Sequence, residues 1–175
     1  MSVSPVSPAS PEVPVEPRRY HHRHPVRVYW EDTDAGGIVF YGNYLKFMER
    51  ARTEWLSALG FGQESMRRAG EGMFIVAETT LRYLKPARLD DQLTVTVAVT
   101  EIGRASVTFA QEVWRADTLL TQGMVRIGWV QPVTPRDASV AQAGDEASGE
   151  DSFRPARIPA RILAILPTSI SASKG

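Results

Sequence analysis

What most constrains this chain is a change of period: one stretch of helical spacing is followed, from about residue 73 to 131, by strand spacing alone. Tyr44, Phe47, Met48, Ala51, Trp55, Ala58 and Leu59 recur every three or four residues, while Lys46, Glu49, Arg50, Arg52 and Glu54 fall on the other face. That spacing predicts an amphipathic helix over 43–59, ended by Gly60. At 1.5 Å per residue it runs about 26 Å, enough to cross a small sheet. After Met73 the pattern is β. Residues 74–84 read as a strand stopped by Lys85-Pro86. Residues 92–100 alternate Leu93, Val95, Val97 and Val99 with Thr94, Thr96, Ala98 and Thr100, the mark of a sheet with one face on a core. Two more strands, 105–114 and 119–131, are joined by a hairpin at Ala116-Asp117, and 25–31 reads as a strand ahead of the helix. A strand, a long helix and then four strands in a meander predict an α+β fold, an antiparallel sheet lying against one helix.

The flanks have a different composition. Residues 1–19 hold five of the chain's 12 prolines and no aromatic residue. Such a segment buries too little apolar surface to offset its ordering entropy, so a disordered arm is expected. Arg18, Arg19, His21, His22, Arg23 and His24 form a basic cluster at its end, read as solvated. The folded domain is expected over 20–133, with a flexible loop over 134–152. A short C-terminal helix over 153–166 should pack back on the domain, because Ile158, Ile162, Leu163 and Ile165 follow helical spacing and Pro159 suits a first turn. A disordered tail is expected over 167–175.

In 175 residues one domain is the expectation. Lys plus Arg and Asp plus Glu number 20 each, and a net charge of zero argues against a globally basic nucleic-acid binder. The absence of cysteine excludes disulfides, thiolate metal sites and a Cys nucleophile, and fits a reducing cytosol. No apolar run approaches the roughly 18 residues of a membrane-spanning helix, and no signal-peptide core is apparent. The expectation is a cytoplasmic protein without metal or organic cofactor.

The densest run of unusual residues, Glu31-Asp32-Thr33-Asp34-Ala35-Gly36-Gly37-Ile38-Val39-Phe40-Tyr41-Gly42-Asn43-Tyr44, lies between the first strand and the helix. Gly36-Gly37 permit backbone conformations and close approaches closed to other residues. Gly42-Asn43 place small and capping residues at the helix start, where unpaired amides and the positive end of the dipole favour negative charge. A carboxylate facing a helix N-terminus across a short glycine loop suits hydrolysis of an acyl compound. An Asp-x-Asp metal site lacks further spaced ligands.

The run Val28 to Glu54, with Tyr83-Leu84-Lys85-Pro86-Ala87-Arg88-Leu89-Asp90-Asp91 and the strand order, resembles the hotdog-fold acyl-CoA thioesterases of the four-hydroxybenzoyl-CoA thioesterase family, in particular the branch associated with the bacterial Tol-Pal envelope system. The resemblance spans residues 25–133. It implies a hotdog fold, an antiparallel sheet of five or six strands wrapped around one long central helix. It also implies a homodimer or homotetramer with active sites at the subunit interface. Position by position, the family's catalytic aspartate falls on Asp34, as nucleophile or general base. The oxyanion donor, a backbone amide at the helix start, falls on Tyr41. Some Tol-Pal-branch members carry His there, and this chain carries the Tyr of the four-hydroxybenzoyl branch.

Glu49 stands where another thioesterase branch keeps a catalytic glutamate, although an ordinary i to i+3 pair with Arg52 is favoured, since Asp34 fills the role. Glu31 and Asp32 are read as solvated or loop-orienting. Gly42 and Asn43 at the helix start, together with Arg104, Ser106 and Arg88, are expected to contact the acyl-CoA substrate, with Lys85 a further candidate. Leu81, Tyr83, Phe47, Met48 and Trp55 are read as core. The function implied is hydrolysis of acyl-CoA to free acid and CoA, with acyl carrier protein a possible partner. The alternative is a non-catalytic acyl-CoA or acyl-carrier-protein binding module in envelope assembly. A hotdog dehydratase would need a histidine, and 25–133 contains none.

Overall fold

The structure, a computed structural model, describes residues 20–133 and 153–167. The arm over 1–19, the loop over 134–152 and the tail beyond Pro167 lie outside the described residues. The elements in order are β1 (His22–Arg27), a 3-10 turn (Trp30–Asp32), α1 (Asn43–Ala58), α2 (Gln63–Arg68), β2 (Met73–Tyr83), β3 (Gln92–Ile102), β4 (Ser106–Arg115), β5 (Thr118–Pro132), β6 (Phe153–Pro155) and α3 (Ala160–Leu163). All strands pair antiparallel in one six-stranded sheet of order β1-β3-β4-β5-β2, with β6 on β5. This is the α+β hotdog arrangement, and α1 is its long helix.

The apolar face of α1 makes the core. Phe47, Met48, Ala51, Trp55 and Leu56 are buried against Val95, Val97, Val99, Phe109 and Val113 of the sheet, and Trp55 meets Phe109 edge-on at 5.6 Å. Alternation along β3 and β4 thus turns the odd-numbered residues toward the helix. The even-numbered face is not simply open to water. Thr96 and Ala98 are buried on it, beside Glu112, whose carboxylate accepts hydrogen bonds from Tyr20 and from Trp114 Nε1.

Four expectations from local pattern need correction. The strands after the helix are not a meander of four: β3, β4 and β5 are, but β2 lies beyond β5. The segment after β2 cannot close a tight hairpin, because it is tied elsewhere. Val39 N–H donates to Ala87 O (2.9 Å), Tyr44 Oη accepts from Ala87 N–H (2.9 Å), and Val28 exchanges bonds with Asp90 and Asp91. The first strand is His22–Arg27 rather than 25–31, because the Asp32 carboxylate accepts the Tyr29 N–H (2.9 Å) and turns the chain there. His21, His22 and His24 are accordingly part of the fold and not a solvated junction. His21 Nδ1 accepts the Val99 N–H (3.0 Å), and burial, with His24 adding to it, pushes the His22 pKa down. Finally, Phe153–Pro155 is a strand and helix covers only Ala160–Leu163, since pairing with Val130, Gln131 and Pro132 holds 153–155 extended. Ile158, Ile162 and Leu166 still reach the core.

Candidate active site

The segment 30–44 is a folded ribbon. Thr33 bridges Val39, Asp34 N–H donates to Ile38 O (2.9 Å), and Phe40 N–H donates to Asp32 O (2.9 Å). Asp34 lies at its exposed tip. One carboxylate oxygen, Oδ1, accepts the Gly36 N–H at 2.8 Å, so the glycine turn wraps around the acid it presents. A Cβ at Gly36 would stand 3.1 Å from Asp34 Oδ1, so the carboxylate would have to shift by a few tenths of an ångström to admit it. Gly37 has φ +72°, in the left-handed region.

The ribbon leads into α1. Gly42 is the N-cap, with no side-chain cap, and no described group accepts the N–H of Tyr41 or of Gly42. Two backbone donors are thus left open at the positive end of a 16-residue helix. Asn43 does not turn outward to a ligand. It is buried, its Nδ2 donates to Asp32 O (2.9 Å), and its N–H donates to Phe40 O (2.9 Å). Asp32, also buried, holds the base of the ribbon through both its carboxylate and its carbonyl. An acidic triplet is therefore divided by burial, one residue structural and one presented.

Arg88 joins the same end, since its main chain bridges Ile38. The exposed cations of Arg88 and Lys85 enter no ion pair among the described residues, whereas Arg27 and Arg115 are taken by Asp90 and Asp91. Arg104 and Ser106 are not brought to this end. They open β4 where Gly103 N–H donates to Ser106 O, at the far end of β3 from Asp91. Along an 11-residue strand that separation is about 33 Å.

Glu49 lies further along α1, about 10 Å from Gly42 on the helix axis. It is exposed and accepts from Thr53 Oγ1 (2.7 Å), so the expected direct pair with Arg52 does not form. Arg52 turns inward instead. Its guanidinium donates to Gln111 Oε1 (2.6 Å), and Gln111 in turn donates to Met48 O. Burial pushes the Arg52 pKa down, with the Glu49 charge opposing. Leu45, Lys46, Glu49 and Arg52 form one wall of a cleft of about 310 Å³ whose other wall is Val76, Thr79 and Val125. No group of three His, Cys, Asp or Glu able to hold a metal ion occurs among the described residues.

Three residues were missed by pattern. Tyr44 pins the 84–91 connection to the helix start, Gln111 interrupts the apolar face of β4, and Tyr83 donates from its hydroxyl to Tyr41 O at 3.0 Å. Helical spacing flags Tyr44 as core, but no spacing reports which backbone atom a phenol meets.

A six-stranded antiparallel sheet with one long helix on it, and a ribbon that presents Asp34 on a glycine turn before running into that helix's start, is the architecture of the hotdog thioesterases. The profile of the thioesterase superfamily matches residues 36–122. The chain is 39% identical over 123 residues to the acyl-CoA thioesterase YbgC of Haemophilus influenzae, an alignment covering 67% of this chain and 90% of that protein. It is 43% identical over 112 residues to the acyl-CoA thioester hydrolase YbgC of Escherichia coli, covering 63% and 83%. A probable thioesterase from Bartonella henselae superposes with a TM-score of 0.63 at 25% identity, covering 79% of this chain and 98% of that one. The chain belongs to the thioesterase superfamily. No helix among the described residues is long and apolar enough to cross a membrane.

Proposed function

We propose that this protein hydrolyses acyl-CoA thioesters, with Asp34 as the reacting carboxylate. One observation carries the reading: the Asp34 carboxylate is presented on a glycine turn that leads into a helix start with two unused N–H donors, at Tyr41 and Gly42. Water supplies the new carbon–oxygen bond, the carbon–sulfur bond breaks, and CoA leaves as the thiol with a proton. Asp34 acts as nucleophile or general base, and the Tyr41 N–H receives the developing oxyanion. Such a donor costs little reorganisation at the moment of reaction because the turn into α1, closed by Asn43 N–H on Phe40 O, already orients it. The cleft between α1 and β2 accommodates the acyl group, since Leu45 and Lys46 on its wall belong to the first turn of α1. In this reading Glu49 lines that cleft and takes no part in bond breaking.

Arg88 and Lys85 supply cations for the CoA phosphates from the same chain. Arg104 and Ser106 reach a site only in a second copy. β2 is an edge strand with Ile75 and Val76 exposed, and antiparallel pairing of two β2 edges would bring the Arg104 end of one subunit beside the Asp34 end of the other. A homodimer, alone or doubled into a tetramer, is therefore part of the proposal. An acyl carrier protein would present the same pantetheine thioester.

The test is thiol release from acyl-CoAs running from acetyl to palmitoyl with benzoyl and hydroxybenzoyl members, comparing wild type with Asp34→Asn. With no cysteine in the chain, a disulfide reagent reports only CoA. Turnover should fall about 10²–10⁴-fold in the variant, with melting temperature and CoA affinity retained. Retained kcat would remove Asp34 from the reaction. Silence of wild type across the panel, with CoA still bound, would point to a binding module.

A further inference from the structure

The last residue of β2 meets the helix start through a polar contact that apolar packing does not require. Tyr83 stands edge-on to Tyr44 at 5.6 Å, and the Tyr44 hydroxyl is itself held by the Ala87 N–H. This aromatic support sets the Tyr83 hydroxyl 3.0 Å from Tyr41 O. That carbonyl belongs to the Tyr41–Gly42 peptide, whose N–H is that of Gly42. A trans peptide directs its N–H away from its C=O, so the contact fixes the Gly42 N–H on the side away from Tyr83. No described group accepts that N–H. A hydrogen bond received at a carbonyl polarises the amide and strengthens its N–H as a donor. Gly42 carries no side chain to shield the N–H from an approaching carbonyl oxygen.

We infer that Tyr83 is a positioning residue for thioester hydrolysis: its hydroxyl locks the Tyr41–Gly42 peptide so that the Gly42 N–H serves with the Tyr41 N–H as a two-donor oxyanion site. The inference rests on the hydrolytic reading above. Burial, with the neighbouring Tyr41 phenol adding to it, pushes the Tyr83 pKa up, which keeps the hydroxyl a donor at neutral pH. The half-exposed ring explains the packing on Tyr44, and the direction of the hydroxyl is what the ring alone leaves unexplained.

Tyr83→Phe removes the hydroxyl and keeps the ring, so the melting temperature should hold. With the acyl-CoA that wild type turns over fastest, kcat should fall about tenfold while KM stays within about twofold, less than the 10²–10³ seen for deleting a whole oxyanion donor because the amide itself remains. A trifluoromethyl-ketone analogue of that acyl-CoA, which presents an oxyanion, should weaken by the same factor, with CoA affinity unchanged. A ring-fluorinated tyrosine incorporated at position 83, which keeps the donor, should restore kcat. Wild-type kcat in Tyr83→Phe, a change confined to KM, or failure of the fluorinated residue to restore turnover would each overturn the inference. Asp34→Asn in parallel separates the two levels: retained turnover there would overturn the site and this inference with it, whereas lost turnover there beside an active Tyr83→Phe would overturn only the role of Tyr83.

Discussion

At the end of the sheet that carries Asp34, Val39 and Tyr44 anchor the ribbon over 30–44 in the core, while its tip is shaped by backbone bonds, by the Asp32 and Asn43 side chains, and by two glycines. At the opposite end the C-terminal segment closes the sheet. Ile158, Ile162 and Leu166 enter the core, Ile158 N–H donates to Arg104 O (2.8 Å), Ala156 N–H donates to Trp129 O (3.0 Å), and Arg161 pairs with Glu71. The first end leaves main-chain donors exposed, and the second buries its polar groups, Trp129 Nε1 without a hydrogen-bond partner among the described residues. Helix-start amides without a protein acceptor are completed by water or a ligand, which the proposed function assigns to the substrate carbonyl.

Substitutions at the two ends should therefore separate stability from turnover. The largest effect is expected at the closed end. Ile162→Ala empties a fully buried site and should lower unfolding free energy by about 2–5 kcal/mol, read by denaturant titration, with kcat per folded molecule unchanged. A parallel loss of kcat would mean that the two ends are coupled.

Gly36→Ala makes the opposite test. Its Cβ would crowd Asp34 Oδ1 at 3.1 Å, so kcat should fall about tenfold, equal to about 1.4 kcal/mol of barrier, with little change in melting temperature. A loss of stability without loss of turnover would place the importance of Gly36 in folding.

Ala116, in the hairpin between β4 and β5, sharpens the comparison with a strained residue outside the Asp34 ribbon. Its φ of +48° is unfavourable for a residue with a Cβ, and Asn tolerates that region better. Ala116→Asn should raise stability by about 0.5–1 kcal/mol with kcat unchanged. The same logic at Gly37 runs in reverse, since relief there is already complete.

The smallest effect is expected on the exposed face of α2. Arg67 and Arg68 hold the Glu64 carboxyl down to about 2 from an ordinary 4.5. A carboxyl depressed by folding stabilises above its unfolded value, and that contribution is lost as pH falls from 4.5 toward about 2. These pairs are solvent-exposed, so an acid titration followed by NMR should show local change at 63–68 without global unfolding, and salt should reduce it.

Much of the architecture was readable from spacing. The helix expected over 43–59 is Asn43–Ala58, and the β2 to β5 strands lie within two residues of their expected ends, apart from the first strand, which is displaced toward the N-terminus. Period reports which face of an element is buried, and burial is the larger energetic term. The candidate site was legible in part. The run that holds Asp34, Gly36 and Gly42 was marked by composition on a loop ahead of a helix, and Asp34 within it by the family resemblance. Asn43 was not legible as an internal brace, because an amide at a helix start looks the same whether it meets solvent or the Asp32 carbonyl. Tyr83 likewise reads as one more apolar residue at a strand end.

By itself, then, the sequence determined the long helix, the strands β2 to β5 and their buried faces, because these depend on neighbours a few residues apart, while the choice of Asp34 among three acids came from the family resemblance. Tertiary structure decided that β2 lies beside β5 rather than β3, that Arg52 turns to Gln111 rather than Glu49, that Arg104 stands far from Asp34, and that a phenol 42 residues away touches the helix start. Each of these outcomes joins residues distant in the chain. The physical reason is that a hydrogen bond acts over about 3 Å in space whatever the separation along the backbone, so local period cannot report its partner.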